Sequence, residues 1–272
     1  SVMIYTNNYV YAYSGFTTTG TQWYLPLIRA EFAGLSTGVQ VVNAGATDVS
    51  TTINYNGQIW PDYNAANATD YTCTVTATLP ASSSITFYNA GTWDFDDVLG
   101  ANDGQITGGD CQTNGDTTFN AAGGMFLGSA TITTNGEVAV MVNDANASGS
   151  SSGAYNGFLA TEAAASLISP LARVAFASFT SGTQVQNICG TDVTVSTTYS
   201  TSPLVSVTAP SLPDQLIAAG SSYTFYVGAG TGYDGWLGSL TASTADGDCL
   251  VGITNDAKTG GDASVFNTFA MP

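Results

Sequence analysis

Apolar and polar residues alternate in short segments along most of the chain. Val39 and Val41 lie on one side of such a segment, and a run rich in β-branched residues extends from Val49 to Ile53. A period of two and β-branched residues are typical of half-buried β-strands. The one segment with a helical pattern, residues 160–167, is short enough to be a turn. The pattern predicts an all-β protein.

The second half of the sequence repeats the first. Three segments match in the same order in both halves, namely 26–49 with 170–193, 84–88 with 222–226, and 126–129 with 236–239. Identical residues at matched positions include Arg29 and Arg173, and also Asp48 and Asp192. Collinear matches of this kind indicate two copies of one domain.

Each copy is predicted to contain a β-hairpin at the same point. Asn135-Gly136 separates two β-branched runs in the first copy, and Asp246-Gly247 stands at the equivalent place in the second. Such dipeptides supply the positive φ angles that a two-residue hairpin turn requires. We therefore predict two tandem antiparallel β-sandwich domains, Ig-like or jelly-roll-like, of about seven to nine strands each.

The predicted domain boundaries follow from the repeat. Residues 1–16 form an extended N-terminal strand, residues 17–160 the first sandwich, and residues 161–272 the second. An insertion over residues 91–122, rich in Asp, Asn and Gly, is present only in the first copy. Calcium prefers hard oxygen donors such as carboxylates. The candidate Ca²⁺ ligands in this insertion are therefore Asp94, Asp96, Asp97 and Asp103. A solvated acidic loop is the alternative, and no other cofactor is expected.

The N-terminal strand is apolar on both faces when it is extended. Large residues recur at every second position, with valine, isoleucine and alanine between them. A solvated edge strand would be polar on at least one face, so this arm requires cover on both. It either completes its own first domain or adds to a sheet of a neighbouring subunit. The residues assigned to strand addition are Met3, Tyr5, Tyr9, Val10, Tyr11, Tyr13 and Phe16.

A short motif occurs three times, whereas the domain occurs twice. The copies are residues 12–16 (Ala-Tyr-Ser-Gly-Phe), 154–158 (Ala-Tyr-Asn-Gly-Phe) and, more loosely, 265–269 (Val-Phe-Asn-Thr-Phe). One copy at a chain end therefore has no domain of its own. A head-to-tail contact through such a strand would not close, and it would give an open polymer.

The four cysteines divide into two for each copy. Cys73 and Cys111 lie in the first copy, and Cys189 and Cys249 in the second. Of the three possible pairings, the one within each copy suits two independently closed domains; four buried free thiols are the alternative. Disulfides would indicate an oxidising compartment. The sequence has no C-x-x-C spacing and no histidine, which argues against zinc.

Charge excludes several classes of function. The chain has 20 Asp and Glu against three Lys and Arg and no His, a net charge of −17. So few cations argue against nucleic acid and anionic lipid as partners, and no apolar run is long enough for insertion into a membrane. Without an imidazole base or a recognisable acid–base pair, we expect no enzymatic activity. Arg29 and Arg173 are interpreted as structural ion-pair or hydrogen-bond anchors, with Glu31 as one possible partner. Asn67 and Asn146 begin N-x-Ser/Thr sequons and are candidate glycosylation sites.

Five short motifs of the first copy carry a resemblance to a known class of modules. They are Leu25-Pro26-Leu27, the strand from Thr37 to Asn43, Leu79-Pro80, the segment from Phe126 to Ser129, and the segment from Tyr155 to Phe158. Together they resemble tandem β-sandwich repeat modules of bacterial secreted and cell-surface proteins, of the filament or surface-layer type. The resemblance implies an extracellular structural or adhesive role and carries no catalytic residues.

The sequence therefore predicts a non-enzymatic structural subunit. It would be secreted, remain at the cell surface, and assemble with copies of itself into a filament or surface layer by head-to-tail strand addition. The alternative is an adhesin or carbohydrate-binding module, with glycans as partners. Its candidate exposed aromatic residues are in the segment from Trp60 to Tyr63, at Trp93, and in the segment from Tyr233 to Trp236.

Overall fold

The structure, a computed structural model, describes residues 2–6, 9–13, 18–61, 65–88, 106–109, 111, 125–146, 152–258 and 263–271. In these ranges the regular structure consists of strands and short 3₁₀ turns, with no α-helix. The prediction of an all-β fold is confirmed. The chain divides into two compact units, Ser1–Leu159 (unit 1) and Ala160–Pro272 (unit 2).

Unit 1 is built from long antiparallel strands in two layers. Its described strands are β1 (Val2–Thr6), β2 (Tyr9–Tyr13), β3 (Gly20–Ala30), β4 (Leu35–Asn43), β5 (Val49–Trp60), β6 (Thr69–Leu79), β7 (Ser83–Tyr88), β8 (Ile106–Gly109), β9 (Met125–Asn146) and β10 (Ser152–Asn156). One layer has the order β8-β6-β5-β9-β3, and the other has the order β7-β4-β9-β10. β9 belongs to both layers, because its residues 125–134 pair with β5 and its residues 139–146 pair with β4.

Unit 2 repeats this strand order, except that its described strands include no counterpart of β8. Its described strands are β11 (Ser166–Val174), β12 (Phe179–Asn187), β13 (Val193–Thr201), β14 (Gln215–Ile217), β15 (Ser222–Tyr226), β16 (Trp236–Ser243), β17 (Leu250–Lys258), β18 (Ala263–Asn267) and β19 (Phe269–Ala270). The two sheets have the orders β14-β13-β16-β11-β19 and β15-β12-β17-β18. A core that includes Val185, Phe225, Trp236 and Leu240 lies within this unit. The repeat in the sequence is therefore also a repeat of topology.

The predicted hairpin at the Asn-Gly and Asp-Gly dipeptides is wrong. β9 continues through Asn135-Gly136 without reversing, and in unit 2 the dipeptide Asp246-Gly247 lies between β16 and β17, which belong to different sheets. The dipeptide marks the point where the chain crosses from one layer to the other. The side chain of Asn135 accepts a hydrogen bond from the backbone N–H of Ser50 (2.8 Å), so it serves the neighbouring strand rather than a turn.

The N-terminal segment is extended, but it is not one continuous strand. β1 and β2 pair antiparallel with each other, in a register from Val2↔Tyr13 to Thr6↔Tyr9. The alternation in the sequence predicts one extended strand over residues 1–16, whereas residues 2–6 and 9–13 are partners in a two-stranded sheet. We refer to this sheet as the N-terminal hairpin.

A buried ion pair joins the two layers of unit 1. Arg29 on β3 bonds to Asp144 on β9 through Nε (3.2 Å to Oδ1) and through Nη2 to Oδ2. The hydroxyl of Thr37 on β4 accepts a hydrogen bond from the backbone N–H of Arg29 (2.8 Å) and donates a hydrogen bond to the carboxylate of Asp144 (3.3 Å). β3 lies in one layer, whereas β4 and the part of β9 that contains Asp144 lie in the second, so the contact connects the layers. Glu31 instead accepts a hydrogen bond from Ser36 (3.2 Å).

The same ion pair recurs in unit 2. Arg173 on β11 bonds to Asp256 on β17 through Nε (3.1 Å) and through Nη2. Ser181 takes the place of Thr37: its hydroxyl accepts a hydrogen bond from the backbone N–H of Arg173 (3.0 Å) and donates one to Asp256 (2.8 Å). Burial lowers the pKa of Arg173, and its guanidinium also lies 4.1 Å from the centre of the Phe179 ring. A charge-assisted, bidentate contact of this kind is strong and geometrically specific.

We expect Asp144→Asn to destabilise the protein by about 3 kcal/mol or more, because it leaves the buried guanidinium without a compensating charge. Replacing both partners, Arg29→Met with Asp144→Leu, should recover most of this loss. The measurement is chemical denaturation. Asp70→Asn is the matched control, because Asp70 is exposed, and it should change the free energy of unfolding by less than about 0.5 kcal/mol. Equal effects at Asp144 and Asp70 would contradict the assignment.

Candidate functional site

The N-terminal hairpin is separate from the sheets of unit 1. β1 and β2 form a two-stranded sheet of their own, and β2 lies against β10 without ladder hydrogen bonds to it. An isolated two-stranded hairpin is at best marginally stable in water. The hairpin therefore depends on packing against other strands.

β10 and its extension close the sandwich of unit 1. β10 pairs with β9 from Ser152↔Ala145 to Asn156↔Met141. The chain then crosses to the other layer, where Phe158 exchanges two backbone hydrogen bonds with Tyr24 of β3 (2.8 and 3.0 Å). The segment therefore begins in one layer and ends in the other, and we call it the closing strand.

Unit 2 has a closing strand at the equivalent place. β18 pairs with β17 from Ala263↔Ala257 to Asn267↔Ile253, and Phe269 then pairs with Ile168 of β11. Residues 154–158 and 265–269, which the sequence identifies as copies of one motif, are the two closing strands.

The third copy of the motif has no such position to fill. Within the described residues, both closing positions are occupied by the chain's own segments. An arm that adds to a neighbouring subunit must therefore extend an existing sheet edge and not fill a missing strand. Of the residues assigned to the arm, β1 contains Met3 and Tyr5, and β2 contains Tyr9, Val10, Tyr11 and Tyr13. Phe16 lies outside the described residues.

The hydroxyl of Tyr155 fixes the first closing strand to the opposite layer. It donates to the carbonyl of Leu27 (2.6 Å) and accepts the Leu27 N–H (3.2 Å). Burial, opposed only in part by the hydrogen bond to Leu27, raises the pKa of Tyr155 well above its ordinary value of 10.0. The corresponding residue of unit 2 is Phe266, which has no hydroxyl, so this contact is specific to unit 1.

The ends of the two closing strands differ in exposure. Phe158 is 5% exposed, whereas the equivalent Phe269 is 59% exposed. Met271 beside Phe269 is also exposed. Exposed apolar clusters on a folded surface commonly mark interaction sites. The closing strand of unit 2 therefore presents apolar surface that its counterpart in unit 1 does not.

Both predicted pairs of cysteines form disulfides. Cys73 on β6 bonds to Cys111, which follows β8, and Cys189 after β12 bonds to Cys249 before β17. The sequence separations are 38 and 60 residues. Loops of this length correspond to about 4 kcal/mol of stabilisation for each disulfide in the chain-entropy model. Two disulfides indicate an oxidising environment.

The remaining predicted sites are only partly described. The candidate calcium ligands Asp94, Asp96, Asp97 and Asp103 lie outside the described residues. In the part of the chain that the structure does describe, no group of His, Cys, Asp and Glu side chains is placed to hold a metal ion. Asn67 is exposed in a 3₁₀ turn, and Asn146 is the last residue of β9, where it pairs with Leu35.

The aromatic residues proposed for sugar binding have different surroundings. Trp236 is completely buried in the core of unit 2, and its indole N–H donates to Thr201 (2.9 Å). Trp60 stacks edge-on against Phe32, with 5.5 Å between ring centres. Trp93 lies outside the described residues. Sequence reasoning missed Tyr226, which is 54% exposed on the edge strand β15.

No family model matches the chain, and no curated protein is significantly similar to it. Among the residues that the structure describes, no helix has the length and apolar character needed to cross a membrane. The functional argument therefore depends on the geometry of this chain alone.

We expect Tyr155→Phe to lower the stability of the protein by about 1–3 kcal/mol at neutral pH, because the buried N–H and C=O of Leu27 lose their partner. The variant should also lose less stability in alkali than the wild type. Because burial raises the pKa of Tyr155 in the folded state, the contribution of this group to the free energy of unfolding is complete below pH 10 and is lost as the pH rises above that value. Urea denaturation at pH 7 and pH 11 measures both effects. Tyr226→Phe, at an exposed tyrosine, is the control, and identical pH profiles for the two variants would contradict the prediction.

Proposed function

We propose that this protein is a non-enzymatic structural subunit of an extracellular filament or surface layer. Copies join head to tail when the N-terminal hairpin of one copy adds to a sheet of the next. The observation that supports this most strongly is the hairpin itself, which among the described residues pairs with neither sheet of its own unit. A two-stranded sheet of marginal stability gains most from further strands.

The sheets of both units offer edges that can accept a strand. An edge strand exposes unpaired backbone N–H and C=O groups, and soluble proteins commonly protect such edges with lysine or other charges. The whole chain has only one lysine, Lys258, and it lies at the end of β17, an interior strand of its sheet. Strand addition is therefore not opposed by cationic residues at the edges.

The contact between hairpin and acceptor joins different surfaces of the molecule. Such a heterologous contact does not close on itself unless the rotation between copies happens to form a ring, and it otherwise produces an open helical polymer. The two disulfides and the hydroxyl- and amide-rich composition suit assembly outside the cell.

A carbohydrate-binding or adhesive role is the second candidate. It rests on Tyr226, whose ring lies beside Gly182, the residue opposite it in the neighbouring strand, and is largely exposed. An exposed tyrosine ring presents an apolar face with a polar edge. Binding to a glycan array by the wild-type protein, lost in Tyr226→Ala, would support this role.

Deletion of residues 1–14 should abolish filament formation and leave a monomer with a melting temperature close to that of the intact chain. The physical reason is that both sandwiches keep their own closing strands. Electron microscopy and size-exclusion chromatography provide the measurements. Leu204→Ser is the control, since Leu204 is the most exposed large hydrophobic residue of the described chain, at 82%, and lies away from the hairpin in sequence. Filaments of normal length and number from the deletion variant would disprove the proposal.

A further inference from the structure

We infer that the acceptor for the hairpin is the outer edge of β18, in unit 2 of a second copy, where β1 pairs with it. This inference rests on the proposed function and names the partner surface. It follows from comparing the two equivalent closing strands, one of which has the hairpin beside it and one of which does not.

The first step is the position of the hairpin. In unit 1 it lies against the closing strand β10 through β2. β2 therefore faces its own unit, and the far edge of β1 is left without a ladder partner in the described residues. β1 is consequently the strand that can extend a sheet of another molecule.

The second step is the open edge of β18. β10 and β18 are equivalent strands, and in the described structure β18 forms a ladder only with β17. The backbone N–H of Thr268 donates to Gly252 (2.9 Å). Hydrogen-bonded and non-hydrogen-bonded pairs alternate along an antiparallel ladder, so Val265 directs its N–H and C=O away from β17. These groups are available to an added strand.

The third step is the match between the two edges. β1 and β18 are each five residues long, and neither contains a charged residue. Phe269 and Met271, which follow β18, are exposed, whereas Phe158 at the equivalent place in unit 1 is buried. A hairpin docked beside β18 would shield this apolar surface. One copy therefore supplies an N-terminal donor edge and a C-terminal acceptor edge, which is the requirement for head-to-tail growth.

The test uses two variants that are each defective at one end. The deletion of residues 1–14 removes the donor and keeps the acceptor, whereas Val265→Pro keeps the donor and removes the outward N–H of the acceptor. Proline is tolerated at an edge position whose N–H faces away from the ladder. Each variant alone should remain monomeric in size-exclusion chromatography with light scattering, and an equimolar mixture should give a 1:1 dimer. Val265→Thr keeps the N–H and should form filaments like the wild type.

The outcomes separate the acceptor from the proposed function. Normal filaments from Val265→Pro, together with none from the deletion variant, would overturn β18 as the acceptor and leave the proposed function intact. Monomers that fail to dimerise when mixed would also overturn it. Normal filaments from both variants would contradict the proposed function itself. Ala263→Pro, at another outward-facing N–H of β18, repeats the test if Val265→Pro lowers the melting temperature relative to Val265→Thr.

Discussion

The buried ion pair between the two layers specifies how the strands of each sandwich align. Arg29 reaches from β3 to Asp144 on β9, and Arg173 makes the same contact with Asp256. Burying both charges costs several kcal/mol for each ion, and only a bidentate geometry with further hydrogen bonds offsets this cost. Thr37 and Ser181 supply those bonds. The pair therefore favours the relative position of β3, β4 and β9 in which all of these bonds form.

The turn between β3 and β4 shows how narrowly this geometry is specified. Glu31 and Ala33 have φ angles of 53° and 56°, and the equivalent Ala175 and Ala177 have φ angles of 47° and 51°. Positive φ is uncommon in residues other than glycine and is energetically unfavourable. The same strained conformation at the same positions of both units is maintained by the contacts around it, chiefly the hydrogen bonds to the strand that follows.

The sequence predicted the repeat, the all-β fold and the cysteine pairs, because each leaves a local or collinear signal. It did not predict the partners of the arginines. Asp144 and Asp256 lie more than 80 residues from Arg29 and Arg173, yet both follow an asparagine, so the repeated pair Asn-Asp was a usable signal. The predicted hairpin failed for a different reason. An Asn-Gly dipeptide allows a sharp change of direction, but which strands pair on either side is decided by the two layers and not by the dipeptide.

The scarcity of cations limits how copies of this chain can associate. Of the three cationic side chains, Arg29 and Arg173 form ion pairs within their own units, and Lys258 lies 5.9 Å from the centre of the Phe179 ring. Copies with a net charge of −17 repel one another over distances comparable to the Debye length, about 8 Å at physiological ionic strength. Ion pairs across an interface can offset little of this repulsion. Backbone hydrogen bonds between uncharged edge strands need no opposite charge, and burial of apolar side chains such as Phe269 adds to them. Strand addition is therefore the form of association that this composition opposes least.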